Sequence, residues 1–170
     1  DADPMGIGAN YPTEAALVAD ARLARTALAE ALEARGQVDH GGRAAVEAAW
    51  AAKEARFRAL AQSTDSPIRP ERVVAALQSL LGDDAVIVAD PGTPCPYFSA
   101  HYRWPRAGRH FITDRAHGAL GYGLAASMGA HCGRPQVKTV AAMGAGSYGF
   151  ACGEFETMVR HKMPITSEVL

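Results

Sequence analysis

The stretch VKTVAAMGAGSYGFACGEFETMVRHKMPITSEVL, residues 137–170, decides the fold. Val137, Val140, Ala141 and Ala142 form a short apolar run ending at Met143, the pattern of a buried strand. Gly144, Gly146 and Gly149 then predict a glycine turn. A helix is expected from about Gly153 to His161, with Phe155, Met158 and Val159 on its apolar side, and Pro164 stops it. Ile165 to Leu170 reads as the next strand. Strand, glycine turn, helix, strand is the unit of a parallel sheet. Its turn lets backbone N–H groups approach an anion, and the following helix offers its positive end. Many such turns bind nothing, so the rest of the chain must decide whether this one is a site.

Upstream, the same unit recurs. Pro70 to Leu81 is predicted as an amphipathic helix with Val73, Val74, Leu77 and Leu80 inward and Pro70 at its start. Gly82-Asp83-Asp84 turns the chain into the strand Ala85–Ala89. Asp90 to Pro94 is the turn after it, and Pro96 to Arg103 is expected to be a short helix. His110 to Thr113 reads as a further strand, and His117 to Cys132 as a glycine- and alanine-rich helix. Strands alternating with helices give an α/β fold, a parallel sheet flanked by helices. Three strand-to-turn junctions, at Asp90–Pro94, Asp114–Gly118 and Gly144–Ser147, would then share the carboxyl edge, where open α/β sheets bind ligands.

The first seventy residues differ. Asp20 is placed to cap a helix over Ala21–Arg35 that Gly36 closes, and Leu17-Val18-Ala19 is a short apolar piece before it. Gln37 to Gly42 reads as a loop and Arg43 to Gln62 as a second helix, with Val46, Trp50, Phe57 and Leu60 as its stripe. Ser63 to Pro70, polar and with two prolines, is the linker candidate. Apolar residues make up 48% and charged residues 21%, so the chain can bury a core. A net charge of −1 offers no footprint for nucleic acid, and no apolar run reaches the roughly 20 residues of a membrane span. Cys95, Cys132 and Cys152 lack C-x-x-C spacing and read as free thiols of a reducing compartment, so a cytoplasmic location is expected. A chain that starts at Asp1 without Met and stops at Leu170 inside an apolar strand is expected to be part of a longer protein.

Three motifs in this order, ADPGTPCPY from Ala89, HGALGYGLAASMGA from His117 and MGAGSYGFACGEFETMVRHKMPIT from Met143, carry a resemblance. Residues 70–170 resemble the C-terminal diphosphate-binding domain of thiamine diphosphate-dependent enzymes of the acetolactate synthase-like group. Asp1 to Arg35, with its D-x-D-P opening, resembles the end of that family's middle α/β domain, including its last strand and helix. The implied domains are 1–36 as the end of the middle domain, 37–69 as a helical linker region, and 70–170 as an incomplete cofactor domain.

The resemblance also implies site residues. Gly92 and Thr93 match the turn that contacts the diphosphate, as do Gly144, Gly146 and Ser147 of the later turn. The Gly118 carbonyl would accept from the cofactor's aminopyrimidine. The Leu120 N–H would donate to a ring nitrogen, and its side chain would hold the cofactor bent. Where the family has the aspartate that binds Mg2+, this sequence has Ala145, whose methyl group cannot ligate a hard cation that requires oxygen donors. No metal ligand is therefore assigned. His117 beside a ligand turn is a weak candidate for acid–base work, and a hydrogen-bonding role is the alternative. Glu168 in an apolar strand is a second departure from the family pattern. The resemblance implies chemistry on small 2-oxo acids, first of all acetolactate synthase-like decarboxylation and carboligation, with a 2-oxo-acid or oxalyl-type decarboxylase as the alternative. It implies a homodimer or tetramer and a chain inactive on its own. A non-catalytic relative serving as a scaffold module is the reading that Ala145 keeps open.

Overall fold

The computed structural model describes residues 2–36 and 41–170. Asp1, the first residue of the D-x-D-P motif, and most of the loop expected over Gln37–Gly42 lie outside them. The chain divides into two compact units, Asp1–Ala49 and Trp50–Leu170.

The first unit opens with a 3-10 turn, Pro4–Gly6, capped by the Asp3 side chain. Helix α1 is Ala21–Ala34. The Asp20 carboxylate accepts from the N–H groups of Arg22 and Leu23, which satisfies two donors the first helical turn leaves open. The last strand that the resemblance implies within residues 1–35 does not form among the described residues, and Leu17 and Val18 of the short apolar piece stand exposed. Helix α2, Gly42–Ala61, begins in this unit and continues into the next.

The second unit is the parallel sheet. Its elements are α3 (Pro70–Leu80), β1 (Val86–Ala89), α4 (Pro94–His101), β2 (Phe111–Thr113), α5 (Tyr122–Gly133), β3 (Thr139–Met143), α6 (Ala145–Ala151), α7 (Glu154–Arg160) and β4 (Ile165–Val169). The strand order is β2-β1-β3-β4, with every pairing parallel. Both faces are covered, so β1 and β3 are buried along their whole length and read as continuous apolar runs. Ile87, Ala89, Val140 and Ala142 pack one way, with Val74 of α3 and Cys95, Phe98 and Tyr102 near α4. Ala141 and Met143 point the other way, toward Leu124 of α5 and Met158 of α7. Successive side chains alternate faces, which turns two strands into the floor of two half-cores. Among the described residues no helix is long and apolar enough to cross a membrane.

Several local expectations need correction. The helix expected from His117 starts at Tyr122, because Gly118 and Gly121 take left-handed backbone conformations that break a helix. His117 is thus an exposed loop residue rather than a helix opening. The glycine turn expected over Gly144–Gly149 is already helical from Ala145. The helix of the first turn starts at Pro94, two residues early, since proline suits a first helical position. Leu80 and Val159 sit at the solvent rather than inward, 76% and 78% exposed; each lies at the end of its helix, past the arc that faces the sheet.

Candidate diphosphate site at the carboxyl edge

Parallel pairing puts the ends of β1, β2 and β3 on one edge, so the turns after Ala89, Thr113 and Met143 face the same side. The chain leaves β1 for β2 on one flank, then returns to place β3 on the other flank of β1. Strand order reverses between β1 and β3, and α4 and α5 leave to opposite faces of the sheet. That is the topological switch point at which an open α/β sheet leaves a crevice. Gly92 and Thr93 follow β1 there, and Gly144, Gly146 and Ser147 follow β3.

Three helices start on this edge, and they differ as anion receptors. A first helical turn normally leaves its N–H groups without partners. In α4 proline occupies Pro94 and Pro96, which removes two of those donors. Thr93 precedes it without a side-chain capping bond and is exposed. In α5 two of the donors at its start are already engaged: Gly121 N–H and Gly123 N–H donate to the two carboxylate oxygens of Asp90, at 2.9 and 3.0 Å. In α6 no side chain caps the start. Among the described residues the N–H groups of Ala145, Gly146 and Ser147 have no acceptor, so they form an open donor set on this edge. Gly146 has open space where a Cβ would lie, as do Gly92 and Gly118. Ser147 is buried beneath this turn, while Ala145 and Gly146 are exposed.

Asp90 is the residue that sequence reasoning missed. The sequence marks it only as the first residue of a turn, yet it is fully buried. Its own N–H donates to Ala142 O at 2.9 Å, which locks it between β1 and β3. A Cβ on Gly123 would lie 2.7 Å from Asp90 Oδ2 and 3.1 Å from Asp90 N, so only glycine admits the aspartate. At Gly121, φ is +88°, and an added Cβ would meet that of Phe150 at 3.1 Å, so α6 packs directly on this backbone. The glycines of HGALGYG were legible, but their partner lies 31 residues upstream.

The second turn is held in a similar way. Asp114 accepts from Gly118 N–H through its carbonyl and from Ala119 N–H through Oδ2, and Arg115 donates to Pro91 O across to the first turn. Leu120 is half exposed between these anchors, and His117 is exposed. Away from this edge, His101 stacks on Phe57 with ring centroids 4.6 Å apart. Its partial burial, with the Lys53 charge nearby, holds its pKa below the ordinary value. Ser167 Oγ is buried without a partner among the described residues, and nothing in the structure accounts for it.

The donor set fits a diphosphate and does not fit its metal. Among the described residues no three His, Cys, Asp or Glu side chains gather as a cation site, and Ala145 brings a methyl group to the open turn.

A family profile described as "Thiamine pyrophosphate enzyme, C-terminal TPP binding domain" matches residues 90–170. Residues 90–170 belong to the thiamine diphosphate-dependent, acetolactate synthase-like family. It is 29% identical to the thiamine pyrophosphate-containing protein YdaP of Bacillus subtilis, over all of this chain and 29% of that protein. It is 34% identical to an acetolactate synthase large subunit of Mycobacterium tuberculosis, over 85% of this chain and 26% of that one. It is 27% identical to a sulfoacetaldehyde acetyltransferase of Roseovarius nubinhibens, over all of this chain and 31% of that one. The chain thus spans about three-tenths of the length of the curated relatives it matches. Among solved structures it resembles a thiamine diphosphate-dependent 4-hydroxybenzoylformate decarboxylase of Rhodococcus jostii, with a TM-score of 0.58 and 21% identity, over 64% of this chain and 20% of that one. That likeness speaks for the fold: an incomplete thiamine diphosphate-binding sheet.

Proposed function

We propose that this chain holds the diphosphate end of thiamine diphosphate at the switch point between β1 and β3. The protein then makes or breaks carbon–carbon bonds of 2-oxo acids, with acetolactate synthase-like carboligation as the first reading. The observation that carries the proposal is the uncapped start of α6 at that switch point, inside the segment matched by the cofactor-domain profile. Gly144, Gly146 and Ser147 would receive the phosphates from one side, with Gly92 and Thr93 opposite. Gly118 and Leu120 would meet the pyrimidine. When bound, thiamine diphosphate supplies the electron sink that such chemistry on a carbonyl carbon needs. The chain's own part is to bind, orient and shield it. His117, exposed on the loop, remains a candidate hydrogen-bonding or proton-transferring group.

In the proposed assembly a second copy covers this edge as part of a homodimer or tetramer. The exposed apolar side chains Leu120, Tyr148 and Phe150 beside the glycine turns support that. The free cysteines fit a reducing cytoplasm.

Ala145 favours a second reading: a relative that keeps the fold and lacks metal-dependent cofactor binding. Calorimetric titration with thiamine diphosphate, with and without Mg2+, separates the two. Binding that Mg2+ does not strengthen, converted to Mg2+-dependent binding by Ala145→Asp, is the result expected of a diphosphate site without its metal ligand. Absence of binding in both forms would overturn the cofactor reading and leave the scaffold role.

A further inference from the structure

Between Gly118 and Gly123 four of the six backbone N–H groups are engaged, and by two residues. Gly118 N–H donates to Asp114 O at 2.8 Å and Ala119 N–H to Asp114 Oδ2 at 3.1 Å. Gly121 N–H and Gly123 N–H donate to Asp90 Oδ1 and Oδ2. Leu120 N–H and Tyr122 N–H have no acceptor among the described residues. Tyr122 is half-buried at the first position of α5, so Leu120, on the exposed crest, carries the accessible donor. The two aspartates directly follow adjacent strands, β1 and β2, whose register is fixed by parallel pairing. They grip the loop from either end. A loop that would otherwise be free to move is thereby pinned with one donor outward.

We propose that Asp90 and Asp114 are positioning residues for the cofactor: together they clamp residues 118–123 so that Leu120 N–H is the one accessible donor on the crest. This rests on the thiamine diphosphate reading above. The clamp also divides labour along the edge. Asp90 takes two backbone donors at the start of α5, while no side chain caps the start of α6. The clamp therefore acts on the pyrimidine end of the ligand and leaves the phosphate end untouched.

The test is a pair of ligands on the 170-residue chain: thiamine diphosphate by direct titration, and inorganic diphosphate by competition against it. Asp90→Asn replaces an acceptor oxygen with a donor facing an N–H group; Asp114→Asn does the same from the more exposed side. Each is expected to weaken thiamine diphosphate by about tenfold or more, about 1.4 kcal/mol, while inorganic diphosphate keeps its wild-type affinity. A merely structural role would weaken both ligands together. Should Asp90→Asn fail to fold, as judged by urea unfolding, Asp114→Asn decides. Equal weakening of the two ligands, unchanged affinity for thiamine diphosphate, or a wild-type chain in which inorganic diphosphate does not compete overturns the proposal. A wild-type chain that binds no thiamine diphosphate removes the underlying reading and this inference with it, a result distinct from wild-type binding that the variants leave unaltered.

Discussion

The starts of α5 and α6 face the same edge of the same sheet, and they are built oppositely. At α5 a buried carboxylate from β1 takes two backbone donors, and the neighbouring glycine exists to let it in. At α6 no side chain caps the donors, and the space beside Gly146 is open. Glycine therefore means different things twenty-three residues apart: close approach of the protein to itself at Gly123, and open space at Gly146. A glycine-rich turn after a strand is not by itself a ligand site; what matters is whether the protein has already filled it.

The contrast can be broken by matched substitutions. Gly123→Ala should have the largest effect, a destabilisation of roughly 2–4 kcal/mol, because the new Cβ displaces Asp90 and strands two buried donors. Urea denaturation measures it; a loss below about 1 kcal/mol would mean that the Asp90 contact is not tight. Gly146→Ala should act in the opposite sense. In the first turn of a helix with nothing within 4 Å of the new Cβ, alanine should stabilise the fold by about 0.5–1 kcal/mol while weakening diphosphate binding. Stabilisation without weaker binding would place the ligand elsewhere.

His101 gives the smallest effect and a control remote from both turns. Its folded pKa lies below the ordinary 6.5, chiefly through burial and then through Lys53. The unfolded chain therefore takes up this proton first, and stability should fall as pH drops through 6.5 toward the folded value, with no contribution above that window. Thermal unfolding from pH 8 to pH 5 should show the decline, and His101→Gln should flatten it without changing the pH dependence of ligand binding. A wild-type midpoint that does not fall across that range would contradict the assignment.

Much of this arrangement was legible in the sequence, and the failures share a cause. The apolar runs AVIVA and TVAAM predicted buried parallel strands because both faces of the sheet are covered, and the turns after them do share one edge. Helix α6 was not legible, since AGSYGFA has weak helix propensity; its helix rests on tertiary support, with Gly121 packed against Phe150 and Ala151 and Tyr148 tilted onto Phe155. The start of α5 was misplaced because alanine and leucine favour helix while two left-handed glycines forbid it locally. Asp90 escaped because its partners lie far along the chain, and nothing local distinguishes a turn aspartate from a cap supplied at that distance. Local propensity and pattern see neighbours in sequence; the division of this edge into a filled and an open helix start is a property of the assembled sheet.

In the proposed site the open start of α6, and not that of α5, receives the diphosphate. The most direct measurement is the response of individual backbone amides by NMR as thiamine diphosphate is added to the chain. The Ala145, Gly146 and Ser147 amides are expected to shift on binding while those of Gly121 and Gly123, held by Asp90, stay nearly still. Large shifts at Gly121 and Gly123 with none at residues 145–147 would contradict it.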